Sequence, residues 1–434
     1  MDWRGLVIAV LGLPAAGSPA GAQQAEPAGC LGFEEALVLA SATAPEVSAA
    51  EARRDRAQAD LREARSLRRP QVTTFGRTAT GDNGLTSNRL ENQVGLQVSQ
   101  RLFDFGDAGL AEQEASELLG QRRFEIYDQQ LEIAYTLADA YLTRLEALEM
   151  IEVIAQRRSY FERQRDAVVD LLGTGGATRA DRAQIEAQLA GADADVLDLR
   201  FRADRAFTRV REYTQQEGAV LCSRTVAGRD MTQALSGLET LDSVVATALR
   251  ENPQVQARLS SIRSLEAGLS RARRNHLPVI EAVGIVSYVY DDAREDWEGR
   301  DRIGVDISVP LYTGSALGAR RDRARADLAL EQSALRVSQR ELREQAEIAF
   351  RRLMSLEAQL VRREAVAASQ QDYFNAISGE FDFGLGTLPE LIDARLEHER
   401  AELDVISARY SLLRQKVELL RLTGRLPVTS GSGE

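Results

Sequence analysis

Two stretches of the chain alternate between apolar and polar residues. In the first, from Val94 to Phe103, the alternating apolar residues are Val94, Leu96 and Val98; in the second, from Ile303 to Tyr312, they are Ile303, Val305, Ile307 and Val309. A period of two predicts β-strands with one apolar face and one polar face. Each stretch leads directly into a helical pattern of about sixty residues without proline. The chain is therefore predicted to join a short two-faced strand to a very long helix, twice.

The two strand–helix units belong to a larger duplication. Pro70 and Pro278 each end a preceding helix and lie 208 residues apart, as do Pro45 and Pro253. The alternating strands lie 209 residues apart, so the register changes by only one residue. Each long helix then breaks at glycines, which suit a tight reversal. Each half is predicted as helix, hairpin, long helix, reversal and returning helix.

The boundaries of this plan follow from the same signals. Residues 1–22 are predicted to be a signal peptide, because an apolar run is followed by the small-residue site Ala20-Gly21-Ala22. The first repeat is predicted over 23–220, a linker over 221–238, the second repeat over 239–424 and a tail over 425–434. Inside the repeats we expect hairpins at 71–103 and 279–312 with polar loops at 81–92 and 293–302, long helices at 107–171 and 316–379, and returning helices at 178–217 and 389–423.

The long helices show the alternating steps of three and four that are typical of a coiled-coil seam. A helix of some sixty residues would be about 90 Å long, which exceeds an ordinary globular domain. A dimeric coiled coil is the simpler interpretation, but strands at one end and reversals at the other disfavour it. The predicted seam residues are Leu342, Ala346, Ala349, Leu353, Leu356 and Leu360 in the second half, and Ala134, Ala138, Tyr141, Leu145 and Leu148 in the first.

Composition and charge exclude several functions. The net charge is -12 with no basic block, which argues against nucleic acid as a partner. No run of about eighteen apolar residues follows the signal, which argues against a bundle of transmembrane helices. His276 and His398 have no Cys, Asp or Glu at ligand spacing, so both are predicted to be solvated helix residues. We expect no enzyme activity, no metal site and no cofactor.

The strands allow two interpretations. A soluble hairpin with one face on a core is the simpler. However, each strand has about the length of a tilted membrane-crossing strand. Tyr288, Tyr290 and Trp297 cluster near the loop end, and Phe103 and Tyr312 lie at the other end, as interface aromatics do. Four strands in lipid would leave two open edges, so several copies would have to close the sheet.

Several segments resemble the TolC-type outer-membrane channel proteins, also called outer-membrane efflux proteins. The most specific are "EEALVLASATAPEV" with "LDSVVATALRENPQV", "VSQRLFDFGDAG" with "ISVPLYTGSALG", and "FGLGTLPELIDARLEHERAEL". The resemblance covers nearly the whole chain after residue 22. It implies an α+β membrane protein, a homotrimer in which four strands per chain form a twelve-stranded outer-membrane β-barrel. The coiled-coil helices would form a tunnel through the periplasm.

The same resemblance implies a function. Such a channel is the passive exit duct of a tripartite efflux pump or a type I secretion system, with a periplasmic adaptor and an inner-membrane transporter as partners. A periplasmic coiled-coil scaffold that never inserts is the alternative. In the barrel, Asp306 would point into the lumen, and the residues expected to face outer-membrane lipid are Val94, Leu96, Val98, Ile303, Val305, Ile307 and Val309.

The resemblance also implies a gate at the helix tips. Acidic residues at the positions of Glu390 and Asp393 face the pore in the family, so a trimer would carry two rings of carboxylates. Acidic residues in any first helical turn are favoured by the helix dipole, which alone could explain Glu390. The best-known family pattern has a polar latch where this chain has Arg179, Phe381 and Gly386. That latch cannot form here, although Arg179 could pair with Glu390 or Asp393.

The chain contains two cysteines, Cys30 and Cys222, each ahead of the opening helix of one half. An even number of cysteines in an exported protein favours a disulfide. The bond would tie the N-terminal segment to the linker between the repeats. Two unpaired, buried cysteines are the alternative.

Overall fold

The structure, a computed structural model, describes residues 31–81, 89–173, 175–216, 218, 220–222, 235–291 and 296–428. The predicted signal peptide and Cys30 lie outside this part of the chain, as does the end of the tail. The described residues form two successive sets of elements in the same order, as the tandem repeat predicts. The first set is α1 (Phe33–Thr43), α2 (Pro45–Ser66), β1 (Gln71–Gly81), β2 (Arg89–Phe103), α3 (Asp107–Leu172) and α4 (Arg179–Thr214); the second is α5 (Leu241–Glu251), α6 (Pro253–Arg274), β3 (Val279–Asp291), β4 (Asp296–Ser308), α7 (Ala316–Asp382) and α8 (Leu388–Leu422).

The strands form one antiparallel sheet in the order β1-β2-β3-β4. Strand β1 reaches Gly81 and β2 begins at Arg89, so the predicted polar loop over 81–92 is wrong for residues 81 and 89–92. Strand β4 begins at Asp296, so the predicted polar loop over 293–302 is wrong for its last seven residues. These residues pair with β3, as the opposition of Asp296 to Asp291 and of Arg302 to Ile285 shows. All of β4 is exposed, so its charged side chains stay hydrated while the backbone completes the ladder. The strand ends at Ser308, four residues before the predicted end of the hairpin.

Each hairpin joins its long helix through two consecutive residues with left-handed backbone. In the first half these are Phe105 (φ 54°) and Gly106 (φ 87°), and in the second half Gly314 (φ 58°) and Ser315 (φ 71°). The Asp104 carboxylate accepts hydrogen bonds from the Gly106 and Ala108 N–H groups, at 3.0 and 2.8 Å. Three residues separate β2 from α3 and seven separate β4 from α7, and in each junction the left-handed pair lies immediately before the helix.

The helices α3 and α7 contain 66 and 67 residues, and each is therefore about 100 Å long. Helix α3 packs along α4 and α7 along α8, and α3 also packs on α8, so an α3/α4 pair lies against an α7/α8 pair. The predicted seam of α7 is confirmed for Leu342, Ala346, Ala349, Leu353 and Leu356, which are its buried residues, whereas Leu360 is only half-buried. In α3 the prediction is wrong for Leu148, which is 40% exposed.

The main apolar core lies where α1 packs on α3 and α4. Phe33 is 1% exposed and meets Tyr141 of α3 edge to face, with ring centroids 5.4 Å apart. A separate cluster packs the helix reversals. Within the described residues, no helix is both long and apolar enough to cross a membrane.

Candidate functional site

The register of the sheet shows which strand residues share a face. Opposed residues in an antiparallel sheet project to the same side. Gly284 of β3 opposes both Val98 and Ile303, and Ala282 opposes Val305. The apolar residues predicted in β2 and β4 therefore share one face, although Val309 lies beyond the end of β4. Every member of the set is exposed in the single chain: Val94 49%, Leu96 55%, Val98 43%, Ile303 92%, Val305 59%, Ile307 65% and Val309 44%.

The opposite face of the sheet is more polar. Asp306 opposes Glu281, and Ile285 opposes both Gln97 and Arg302. Further along this face, the Gln93 amide donates to the Ser287 hydroxyl at 3.0 Å. Asp306 therefore lies on the side opposite the apolar set, in company with groups that water solvates well.

Aromatic residues mark the loop end of the second hairpin. Tyr290 opposes Trp297, and their rings meet edge to face with centroids 5.5 Å apart. Tyr288 is 55% exposed on the apolar face. An exposed aromatic group at the end of an apolar strand face is typical of the membrane–water interface.

The two helix reversals lie together at the far end of the long helices. They are joined by an apolar cluster that draws Phe161 and Val168 from α3, Ile185 from α4, and Leu388, Leu391 and Ile392 from α8. On α8, Leu391 and Ile392 are buried in this cluster, whereas Glu390 and Asp393 on either side of them in sequence are exposed. The tip of the α7/α8 pair thus presents two acidic residues to its surroundings.

The Glu390 carboxylate completes the capping box of α8, whose N-cap residue is Thr387. It accepts hydrogen bonds from the Thr387 N–H and hydroxyl groups at 2.9 and 2.8 Å, which hold the pKa of Glu390 below its usual value. Asp393 lies one turn further along. Arg179 is the exposed first residue of α4. Among the described ion pairs of this chain, none joins Arg179 to Glu390 or Asp393, so that proposed contact is not formed within one protomer.

Above the tip, a group of charged and aromatic residues is buried between the two helix pairs. His398 is 3% exposed, so its prediction as a solvated residue is wrong. Its ring stacks on Phe374 of α7 with centroids 6.0 Å apart, and its Nε2 atom lies 3.6 Å from Glu402 Oε2. Glu399, also 3% exposed, meets Arg157 of α3 at 3.0 Å.

The sequence carried a signal for this buried group. Along α8 the residues Leu388, Leu391, Arg395, His398, Glu402 and Val405 follow alternating steps of three and four, which is the seam spacing. Polar residues therefore occupy three successive seam positions. A polar residue at a seam position has to be buried or to break the packing; here Arg395 and His398 are buried and Glu402 is half-buried.

The segment around Cys222 is tied to the start of the described chain. The Leu31 N–H donates to the Val220 carbonyl at 2.7 Å, and the Cys222 N–H donates to the Leu31 carbonyl at 3.1 Å. The Tyr141 hydroxyl lies 3.1 Å from the carbonyls of both Leu31 and Cys222, and burial raises its pKa to about 12. Cys222 is disulfide-bonded. Its predicted partner, Cys30, lies outside the described residues, so the pairing stays a prediction.

The described part of the chain contains no cluster of metal-ligating side chains. No three His, Cys, Asp or Glu residues lie close enough together there to hold a metal ion.

Comparison with known proteins gives a consistent result. A family model described as outer membrane efflux protein matches residues 36–214 and 244–425. Outer membrane protein TolC of Salmonella enteritidis is 25% identical over 403 residues, covering 88% of this chain and 79% of that protein. Outer membrane efflux protein BepC of Brucella suis biovar 1 is 24% identical over 371 residues, covering 84% and 78%. The solved structure of CusC superposes with a TM-score of 0.78 at 16% identity, covering 90% of this chain and 91% of that chain, which bears on the fold alone.

Proposed function

Because the chain belongs to the outer membrane efflux protein family, we propose that it forms a homotrimeric exit duct that takes substrates from an inner-membrane transporter and its periplasmic adaptor. Family membership confirms the resemblance drawn from the sequence, together with the fold class and the outer-membrane channel role. It also disfavours the scaffold that never inserts. The trimer, the adaptor and the transporter are part of the proposal.

The observation that carries the proposal is the open sheet. Among the described residues, strands β1 and β4 each have a single neighbouring strand, and one face of the sheet is apolar and exposed. Lipid does not tolerate an unpaired strand edge, because each unpaired backbone group costs several kcal/mol there. If β4 of each copy paired with β1 of the next, three copies would form a closed sheet of twelve strands without an unpaired edge.

The two faces of the sheet then take different roles. The face that carries Leu96 and Val305 would contact outer-membrane lipid, and the face that carries Asp306 would line the lumen. The left-handed junctions connect each hairpin directly to α3 or α7, so the wall of the pore would continue into the helices. Passive conduction through such a wall needs no catalytic group.

At the tip, we assign the constriction to Glu390, Asp393 and Arg179. In a trimer each residue would form a ring of three, and acidic rings attract cations and repel anions. Glu390 would be ionised throughout the neutral range, since its hydrogen bonds from Thr387 favour the carboxylate. Arg179 would contact an acidic residue only across protomers.

Membrane fractionation followed by planar bilayer recording tests the function. We expect the purified protein to be a trimer from the outer-membrane fraction, and to give steady ionic currents. Cells that lack it should accumulate a fluorescent efflux substrate or retain a secreted protein, and the readout that responds names the substrate class. Recovery only as a soluble periplasmic protein without conductance would refute the duct.

A further inference from the structure

The buried charged group between the helix pairs contains more polar atoms than the packing satisfies. Arg157 Nε and Arg395 Nε are buried donors without a hydrogen-bond partner within the described residues. His398 Nδ1, Glu399 Oε2 and Glu402 Oε2 are likewise buried without a hydrogen-bond partner within the described residues. Such groups are costly to bury unpaired, because each loses its hydrogen bonds to water and gains none in the protein. Their concentration in one interface is not explained by stability of the packing.

The position of these residues relates them to both helix pairs. Arg157 of α3 contacts Asp195 of α4 at 2.6 Å and Glu399 of α8 at 3.0 Å. It therefore connects the α3/α4 pair to the α7/α8 pair. Arg395 lies over the rings of Tyr160 and Phe374, at 5.6 and 5.4 Å from their centroids. All of this lies between the tip cluster and the middle of the helices.

We propose that Glu399 is a proton-dependent lock between the two helix pairs, so that ionisation of its buried carboxyl group favours separation of the α7/α8 pair from the α3/α4 pair just above the tip. This inference rests on the proposed function only in treating that separation as a step toward opening the duct. The separation itself is a property of the helices.

The groups that face Glu399 come from every packed element. Arg157 of α3 and Arg395 of α8 favour the carboxylate, whereas Asp195 of α4 and Glu402 of α8 disfavour it. From α7, Phe374 stacks on the neighbouring His398 and carries no charge. Burial outweighs them and raises the pKa of Glu399 to about 7. The packed state therefore prefers the protonated carboxyl group, and its advantage is lost as the pH rises through about 7.

His398 acts on the acid side of this range. Burial is the main cause that lowers the pKa of His398, with Glu402 opposing and Arg395 assisting. Its contribution to the packed state is therefore lost as the pH falls below the ordinary histidine value. The lock is expected to be tightest in mildly acidic solution and weaker on both sides.

The size of the alkaline effect follows from linkage. If separation exposes Glu399 and returns its pKa from about 7 to the ordinary 4.5, the equilibrium constant for separation rises about tenfold between about pH 6 and about pH 8.5. The rise levels off above that range, because Glu399 is then ionised in both states.

The experiment uses the full-length protein with Ala394→Cys, a small change at a residue that is 1% exposed beside Arg395. Maleimide labelling of this thiol is measured at about pH 6 and about pH 8.5. Each rate is divided by that of a short cysteine peptide at the same pH, which removes the titration of the thiol itself. The protein without Ala394→Cys should not label. We expect the normalised rate to rise about tenfold with pH.

Glu399→Gln should abolish this rise, because the amide keeps the shape of the side chain but cannot ionise. Glu397→Gln is the matched control, since Glu397 is exposed on the same helix and pairs with Arg400; it should keep the full rise. A flat pH response in the parent, or an unchanged rise in Glu399→Gln, would overturn the lock. Labelling does not depend on conductance, so loss of bilayer currents with an intact pH response would count against the duct alone.

Discussion

The lipid-facing assignment is tested most directly by placing arginine at two adjacent residues of β4. Val305 opposes Ala282 on the apolar face, and Asp306 opposes Glu281 on the other face. Side chains at residues 305 and 306 therefore lie on opposite faces of the sheet but at almost the same depth in the proposed membrane. Val305→Arg is the perturbation and Asp306→Arg is its matched control.

The expected cost is worked out from the surroundings of each residue. Arginine on the lipid face costs about 2–4 kcal/mol at the midplane and about 0–1 kcal/mol near the interfaces. Val305 is the middle of the three apolar residues on this face of β4, between Ile303 and Ile307, so we expect the upper range. Three copies would carry the penalty, giving about 6–12 kcal/mol per trimer. Arginine at 306 would meet the Glu281 carboxylate and cost about 0–1 kcal/mol.

The assay is folding into lipid vesicles, followed by urea titration and by the amount of heat-resistant trimer. We expect Val305→Arg to lower the unfolding midpoint strongly or prevent insertion, and Asp306→Arg to stay near the parent. Equal tolerance of arginine at both positions would show that the two residues do not lie on lipid and water faces. Sensitivity at 306 alone would reverse the assignment of the faces.

Three further predictions address the cysteines, the tip and the junction. Denatured, unreduced protein should show no free thiol if Cys30 pairs with Cys222, and two thiols would contradict the pairing. Glu390→Gln with Asp393→Asn should leave the trimer intact, because glutamine can also cap a helix at this position, but should lower cation selectivity and cation block in planar bilayers; unchanged currents would remove both residues from the pore. Gly314→Ala should destabilise the protein by about 1 kcal/mol per chain, since φ is 58° and nothing within 4 Å of the added methyl group obstructs it; a thermal midpoint equal to the parent would show that the left-handed turn is not required.

The periodic features of the fold were predictable from the sequence because each depends on local geometry. The alternation in β2 and β4 fixed the apolar face, and the register pairs Gly284 with both Val98 and Ile303. The predicted seam of α7 is correct from Leu342 to Leu356, and only its last residue, Leu360, is half-buried instead of buried. In both cases the spacing of side chains along one element decides which residues are buried.

The errors arose where a distant partner decided the outcome. Residues 296–302 read as a charged loop, but β3 extends beside them and supplies hydrogen bonds, so they pair as strand. His398 read as a solvated residue because its burial depends on Phe374 of α7 and on α3, which contact it only in the folded chain. Leu148 fitted a seam on α3 but is 40% exposed within one chain.

The junction between strand and helix explains how one chain can serve both membrane and periplasm. An extended strand and a right-handed helix differ mainly in ψ, and two left-handed residues redirect the chain within a single turn. The two copies place glycine differently, at Gly106 in one and Gly314 in the other, and each leaves a non-glycine residue in the left-handed region at about 1–2 kcal/mol. The shared feature is therefore the backbone path and not the residue type. The first junction has three residues and the second seven, so the sheet limits where each long helix begins, and a closed ring of strands would impose a closed ring of helices below it.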